Sequence, residues 1–304
     1  MAAAAEGRCF LCGTPAEAVA WRENGYDAVA CPCGLTFVRP PASERVVDAT
    51  FDAHSAAFYR LPARSKVGWL MRQRGVGKLL EVGCGDGWFL EAARHAGVEA
   101  RGIDANPDRV ARARARGLDV RHGLLEETRI DDRFDVVFHC DMLSHFPEPI
   151  AALRRMTDLL ADEGALFFEV GLLGAPARAW YPRIGGIGLP QHRWLYSDDA
   201  LAKLFAEAGL RVVASKRFGL ACSVWLSQTV RRIAPVAKRL IRGRASVGDT
   251  PGSASGPASL PRWRRYADGV QERVESFARY EIGALTPTLG PATLLVLAEP
   301  TRRR

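Results

Sequence analysis

Three glycines at alternate positions, Gly83, Gly85 and Gly87, are interleaved with Cys84 and Asp86 and bracketed by two further carboxylates, Glu81 and Asp104. The glycines form a bend without side-chain bulk, so a ligand can lie against the backbone near a helix N-terminus. The carboxylates narrow the kind of ligand. A pyrophosphate would prefer a loop free of acids. This loop tolerates a cation, and Asp104 is placed to accept hydrogen bonds from ribose hydroxyls. The chemistry read from these residues is the holding of a positively charged nucleoside that carries no phosphate.

The elements that must position this bend are legible around it. Leu79, Leu80 and Val82 form a short apolar run between Gly77 and Gly83, which predicts a strand buried on both faces. Trp88 to Ala96 has helical composition, and Val98 to Ile103 predicts a second strand that ends at Asp104. Together they form the front half of a βαβ unit. The run LLEVGCGDGWFLEAARHAGVEARGIDANPD resembles motif I and the following acidic strand end of class I S-adenosylmethionine (SAM)-dependent methyltransferases. The resemblance runs from Lys78 to Leu210 and resumes at the C-terminal strand. It implies an α/β, Rossmann-like fold whose seven-stranded, mostly parallel sheet has its last strand antiparallel, at the sheet edge. It also implies SAM as cofactor, a sulfonium with an α-ammonium group and no phosphate. The residues implied to hold SAM are Glu81, Gly83, Cys84, Gly85, Asp86, Gly87, Asp104, Ala105, Leu124, Cys140 and Asp141. Many relatives place an acid near the adenine where this chain has Gly123 and Leu124, so adenine recognition is expected to rest on backbone groups and apolar contact.

Cys9 and Cys12 are followed, 18 residues on, by Cys31 and Cys33. Two close thiol pairs separated by short β-like pieces suit a tetrahedral Zn2+ knuckle, with Gly13 and Gly34 freeing the backbone to wrap the ion. The second pair has one intervening residue rather than the usual two; buried thiols without metal are the alternative. The pattern C-x-x-C-G…C-x-C-G-L-x-F-x-x-P looks like a zinc-ribbon prefix of some bacterial methyltransferases. Its expected role is structural, because four cysteines close the coordination sphere and so small a segment cannot bury a sufficient core alone.

Methyl transfer to an oxygen or carbon nucleophile needs a base with a pKa near neutrality. Two histidines stand in suitable places. His145 lies in DMLSHFPEP after the predicted fourth strand FDVVFHC, and His192 lies near the end of a stretch, 171–196, rich in glycine, proline and aromatic residues. His192 is favoured as base, with His145 orienting the loop or touching the cofactor. The stretch itself, with Trp180, Tyr181, Ile184, Ile187 and Leu189, is expected to form a lid over an apolar substrate.

The rest of the chain divides by composition into a ribbon (1–40), a helical lead-in (41–76), the SAM-binding core (77–220), a basic amphipathic segment (221–244), a flexible linker (245–261), and a final helix and edge strand (262–304). The lead-in is read as two helices, Val46–Tyr59 and Ser65–Arg74, with Phe58 and Tyr59 as candidates for the pocket wall. Asn106-Pro107 and Ser197 are read as helix starts. A helical face is expected from Trp263, Tyr266, Ala267, Val270, Val274, Phe277 and Ala278. Nine basic residues and no acid lie between Arg211 and Val247, so peripheral membrane contact through 223–244 is one reading and a solvated helix the other. Net charge is +8, which admits nucleic acid or anionic lipid as a partner. No apolar run reaches the ~18 residues of a membrane span. Seven cysteines after an N-terminus without a secretory pattern suggest a reducing, cytoplasmic setting.

The expected activity is methylation of a small-molecule, sugar or lipid-linked acceptor, at O or C rather than N; an RNA substrate ranks lower, because the sequence has neither an aromatic-basic platform nor the N/D-P-P-Y/F motif of amino-directed enzymes. Three alternatives are retained: an RNA methyltransferase using the ribbon and basic tract, a non-catalytic SAM-binding protein, and an NAD-dependent oxidoreductase.

Overall fold

Alternation along the strands sorts the core onto two faces of one sheet. Leu80, Val82, Ile103, Val137 and Phe168 join one buried cluster, while Leu79, Val136, Phe138 and Phe167 join another. Successive strand side chains point to opposite faces, so a sheet covered on both sides needs near-continuous apolar runs. These features are seen in a computed structural model that describes residues 8–41, 56–174, 180, 187–226, 229, 273–274 and 276–301.

Three strands lead the chain: β1 (Ala18–Glu23), β2 (Tyr26–Ala30) and β3 (Thr36–Arg39). Helix α1 (Ala56–Gln73) follows, and then the alternating core: β4 (Lys78–Val82), α2 (Trp88–His95), β5 (Glu99–Asp104), α3 (Pro107–Ala115), β6 (Asp119–His122), β7 (Phe134–Cys140), α4 (Pro149–Thr157) and β8 (Leu160–Leu172). The chain ends with β9 (Trp194–Leu195), α5 (Asp198–Ala208), β10 (Leu210–Gly219), a π-helical turn (Ala278–Ile282) and β11 (Ala292–Pro300). The main sheet has seven strands in the order β10-β11-β8-β7-β4-β5-β6. β11 is antiparallel to both of its neighbours, and the β4, β5, β6, β7 and β8 pairings are parallel.

Local chemistry fixes the helix starts. Asn106 Oδ1 accepts from Asp108 N and Arg109 N at 3.0 and 3.2 Å, with Pro107 in the first turn. Ser197 Oγ accepts from Ala200 N at 3.2 Å. Such caps satisfy N–H groups that the helix leaves unpaired. An aromatic column ties α1 and α2 to the sheet: Phe89 stacks on Phe138 at 3.8 Å between centroids, Phe138 on Phe167 at 5.0 Å, and Phe167 on Trp69 at 5.5 Å.

Several expectations are corrected. The antiparallel strand β11 is not at the edge; β10 takes that place, because β11 returns from the C-terminal segment and inserts between β10 and β8. The lead-in is one helix running through Pro62 where two were expected, and residues 42–55 lie outside the description. Ile187 and Leu189 do not form a lid. They are buried in a small cluster with Ala28, Val38 and Leu195, against the first three strands. Tyr181, Ile184, the linker 245–261 and most of the basic segment lie outside the described residues, as do Trp263, Tyr266, Ala267 and Val270. Val274 and Phe277 are exposed, so the apolar face expected there is not formed by them.

The ribbon is more closely joined to the core than a prefix would be. Its sheet has four strands in the order β1-β2-β3-β9, the last supplied from residues beyond the main parallel strands. Cys9, Cys31, Cys33, Leu35 and Phe37 share a buried cluster with Phe146, Trp194 and Tyr196. Phe10 meets Trp194 edge-on at 4.6 Å.

Candidate active site

The bend after β4 folds as its glycines require. Gly83, Gly85 and Gly87 have φ of +71°, +52° and +78°, a region side chains rarely adopt. At Gly83 a Cβ would also lie 2.7 Å from Met142 Sδ. Asp104, at the end of β5, holds the bend from across the crevice. Its Oδ2 accepts from Gly85 N at 2.7 Å and its Oδ1 from Asn106 N at 2.8 Å. A carboxylate offers about four lone-pair sites, so it retains acceptor capacity for a ligand.

A cavity of about 580 Å³ opens above this bend. It is lined by Glu81, Gly83, Cys84, Gly85, Asp86, Asp104, Ala105, Leu124, Cys140 and Asp141, together with both histidines, His145 and His192. Of the residues expected to hold SAM, Gly87 is the exception. It packs under Leu118 and starts α2, so its role is in the backbone path. Tyr59 reaches the cavity wall, and the side chain of Phe58 lies outside the description. Asp86 departs from its expected role in another way. Arg112 Nε donates to its carboxylate at 2.8 Å, which offsets the negative charge attributed to the loop. Among the described residues, Glu81 and Asp104 make no ion pair within 4 Å.

Glu81 is buried, and its Oε2 has no hydrogen-bond partner among the described residues. Burial pushes its carboxyl well above the usual range; the Lys66 charge opposes this and Asp104 adds to it. An orphaned acid beside a side-chain-free cradle fits a ligand that brings a cation, as the α-ammonium of SAM would. Leu124 and Leu125 offer apolar contact in the same cavity.

The far wall was not anticipated. Glu169, in the middle of β8, is 2% exposed and receives Lys66 Nζ at 2.6 Å, Arg279 Nη2 at 2.9 Å and Tyr280 OH at 3.2 Å. Lys66 also donates to Cys140 Sγ at 3.1 Å. Burial works against the Glu169 charge, but Lys66 and Arg279 outweigh it and hold the carboxyl below its ordinary value. Burial likewise opposes the Lys66 charge, and Cys140, Glu169 and Tyr280 reverse that, so its pKa stands well above normal. Cys140 is pushed up to about 12, chiefly by burial, and is therefore a neutral thiol and not a nucleophile. Lys66, Arg279 and Tyr280 all line the cavity. The one sequence signal for this cluster is an acid inside the apolar run LFFEVGL.

His145 and His192 lie side by side, ring centroids 4.6 Å apart and planes at 56°. His192 Nδ1 is hydrogen-bonded to the carbonyl of Ile187, which requires the proton on Nδ1 and leaves Nε2 as the acceptor. Asp141, left-handed at φ +54°, lines the same cavity as His192. Burial raises its carboxyl, and His192 opposes that rise. His139, by contrast, faces the core. It is 1% exposed and stacks on Phe168 at 4.9 Å, and burial lowers its pKa to about 3.

In the ribbon, the four cysteine sulfurs lie within 4.8 Å of one another, with Cys9–Cys33 at 3.6 Å and Cys12–Cys31 at 3.4 Å. A tetrahedron with Zn–S bonds of about 2.3 Å has edges of about 3.8 Å. The donor set and spacing therefore fit a structural zinc.

Comparison with known proteins agrees with this geometry. Residues 54–215, more than half of the chain, match the family described as "Methyltransferase domain". Among curated relatives, a ubiquinone biosynthesis O-methyltransferase of Actinobacillus pleuropneumoniae is 36% identical over 107 residues, covering 30% of this chain and 44% of that protein. One from Ruegeria pomeroyi is 29% identical over 161 residues, covering 46% of this chain and 62% of that protein. The chain thus spans about half the length of these relatives. Among solved structures, a putative sarcosine dimethylglycine methyltransferase from Galdieria sulphuraria shares the fold, with a TM-score of 0.50 and 14% identity over 78% of this chain and 85% of that one. The chain belongs to the class I SAM-dependent methyltransferases and carries a four-cysteine module built against its core.

Proposed function

We infer that the protein methylates an oxygen or carbon nucleophile on a small-molecule, sugar or lipid-linked acceptor, with His192 as general base. The observation that carries this reading is the hydrogen bond between His192 Nδ1 and Ile187 O. The Nδ1 proton is engaged by Ile187 O, so the Nε2 lone pair remains for an acceptor proton, in the same cavity as the glycine bend. The names of the O-methyltransferase relatives support oxygen over nitrogen as the target atom.

Bound SAM supplies a methyl group on a cationic sulfur. The protein's part is alignment, water exclusion and proton removal. Asp104 orients the ribose, and Glu81, once ionised, pairs with the α-ammonium. His192 Nε2 takes the acceptor proton as the new bond to the methyl carbon forms. With SAM bound, the displacement would yield the methylated product and a neutral thioether, and His192 would hold the acceptor's proton as an imidazolium. His145, against the same ring, orients it. Cys9, Cys12, Cys31 and Cys33 would hold a structural Zn2+, which would brace the ribbon and take no part in the chemistry.

The test has two stages. Incubation with methyl-labelled SAM and cell extract, followed by identification of what gains the label, names the acceptor. A His192→Ala variant is then expected to lose roughly 10²- to 10⁴-fold in turnover with its SAM affinity kept; equal turnover would remove His192 as base. A labelled RNA fraction would favour the RNA reading instead.

A further inference from the structure

The turn between β1 and β2 reaches the segment that carries His192. Glu23, the last residue of β1, accepts from Ile187 N at 2.8 Å, from Gly188 N at 3.0 Å and from Trp21 Nε1 at 3.0 Å. Asn24 Nδ2 donates to Leu189 O at 2.8 Å. The peptide unit between Ile187 and Gly188 therefore has a carboxylate on its N–H and the His192 imidazole on its carbonyl. Gly188 is at φ +74°, and a Cβ there would lie 3.3 Å from His192 Nδ1, so the ring needs this position bare.

The geometry points to Glu23 as a positioning residue for His192, acting through the Ile187–Gly188 peptide. This rests on the reading of His192 as base. A hydrogen bond to a carboxylate is roughly twice as strong as a neutral one. It polarises the amide, and linked hydrogen bonds strengthen one another by about 10–30% each. The carbonyl of Ile187 becomes a better acceptor, which pins the proton on Nδ1 and aims the lone pair of Nε2. When the ring gains a proton, the positive imidazolium donates to a peptide backed by a negative charge. A carboxylate bonded directly to a catalytic histidine does the same; here one amide stands between them. Asp141 and His145 also face the ring from the β7 end. The ribbon therefore contributes to the acceptor side of the site.

The experiment reads the neutral tautomer of His192 by long-range proton–nitrogen NMR on the full-length protein, with no acceptor needed. Wild type is expected to be predominantly Nδ1–H, and an Nε2–H ring would overturn the proposal before any variant is made. Glu23→Gln keeps the shape but offers one acceptor and no charge. It is expected to lower the ratio of Nδ1–H to Nε2–H at least fivefold, with SAM affinity by calorimetry kept within twofold. Asn24→Gly loosens the same turn while tolerating its φ of +52°. It is expected to leave the ratio within twofold. A Glu23→Gln ring with the wild-type ratio, or an Asn24→Gly ring shifted as far, would show that Glu23 merely fastens a loop. These readouts stand apart from the His192→Ala turnover test, so failure of one is distinguishable from failure of the other.

Discussion

On the cofactor side of the cavity, Asp104 meets Asn106 and Gly85 across 2 and 19 positions of sequence. On the far side, Glu169 meets Arg279 and Tyr280 across 110 and 111 positions, and beside His192 Glu23 meets Ile187 and Gly188 across 164 and 165. The first side is a local structure that one βαβ unit nearly builds alone. The second is assembled from the ribbon, α1, β8 and the C-terminal return. The glycine bend is thus a local motif, while the far side depends on the whole fold to bring its residues together.

The comparison breaks most visibly at Glu169. Glu169→Gln would leave the buried Lys66 and the partly exposed Arg279 facing a neutral amide. Removing one partner of a buried pair costs about 3–5 kcal/mol, so a large fall in thermal midpoint is expected by calorimetry. The sign with pH follows from the depressed carboxyl. Its stabilisation is present above the ordinary Glu value of about 4.3 and is lost as pH falls through the lower folded value. Wild type should therefore lose stability on acidification below that range, and Glu169→Gln should lack this component. A variant as stable as wild type would mean that the two cations find another partner and that the far wall is not keyed on Glu169.

On the cofactor side the expected damage is to binding. Asp104→Ala removes a charge-assisted hydrogen bond and should weaken SAM more than roughly tenfold, with the fold surviving because the strands flanking it remain buried. Unchanged affinity would remove Asp104 from the site.

This difference in sequence distance also explains what was legible beforehand. The bend, Asp104, Asn106-Pro107 and Ser197 were readable because their partners lie within a few turns of chain and the backbone geometry dictates residue type. Lys66, Arg279 and Tyr280 were not, because a basic residue in a helix or a tyrosine near a linker looks like any surface residue until the sheet brings it to Glu169. Glu169 itself broke the apolar pattern of β8 and could have been singled out. Glu23 carried no signal, since a glutamate before Asn24-Gly25 reads as an ordinary hairpin turn. The place of β11 was missed for a related reason. An apolar run announces a strand but not its neighbours.

Protonation sharpens the comparison further. In the free protein the Glu81 carboxyl is raised, so at pH values below its shifted pKa it holds a proton that the α-ammonium of SAM would displace. Affinity should then improve as pH rises, by up to about tenfold per unit, and level off above the raised value. Calorimetry in buffers of different ionisation enthalpy should show one proton released. Glu81→Gln should abolish both effects, whereas Glu169→Gln should not.

The smallest effects come from two caps of the same kind, one on each side. Asn106 caps α3 with its Oδ1, and Ser197 caps α5 with its Oγ. Replacing either by alanine removes an N-cap hydrogen bond, with an expected cost of about 1 kcal/mol in stability. Their effects on binding should separate. Asn106 lines the cavity, and its backbone N–H is bonded to Asp104. Loosening the first turn of α3 therefore moves the acid that meets the ribose, and Asn106→Ala should weaken SAM several-fold. Ser197 N instead donates to Gly34 O of the ribbon at 3.2 Å. Loosening that end moves the ribbon against β9, next to His192, and should leave SAM affinity alone while slowing turnover. Measured together, two helix ends of equal energetic weight report on different substrates. If both variants shifted SAM binding equally, the two sides of the cavity would be one mechanical unit and their separation would not hold.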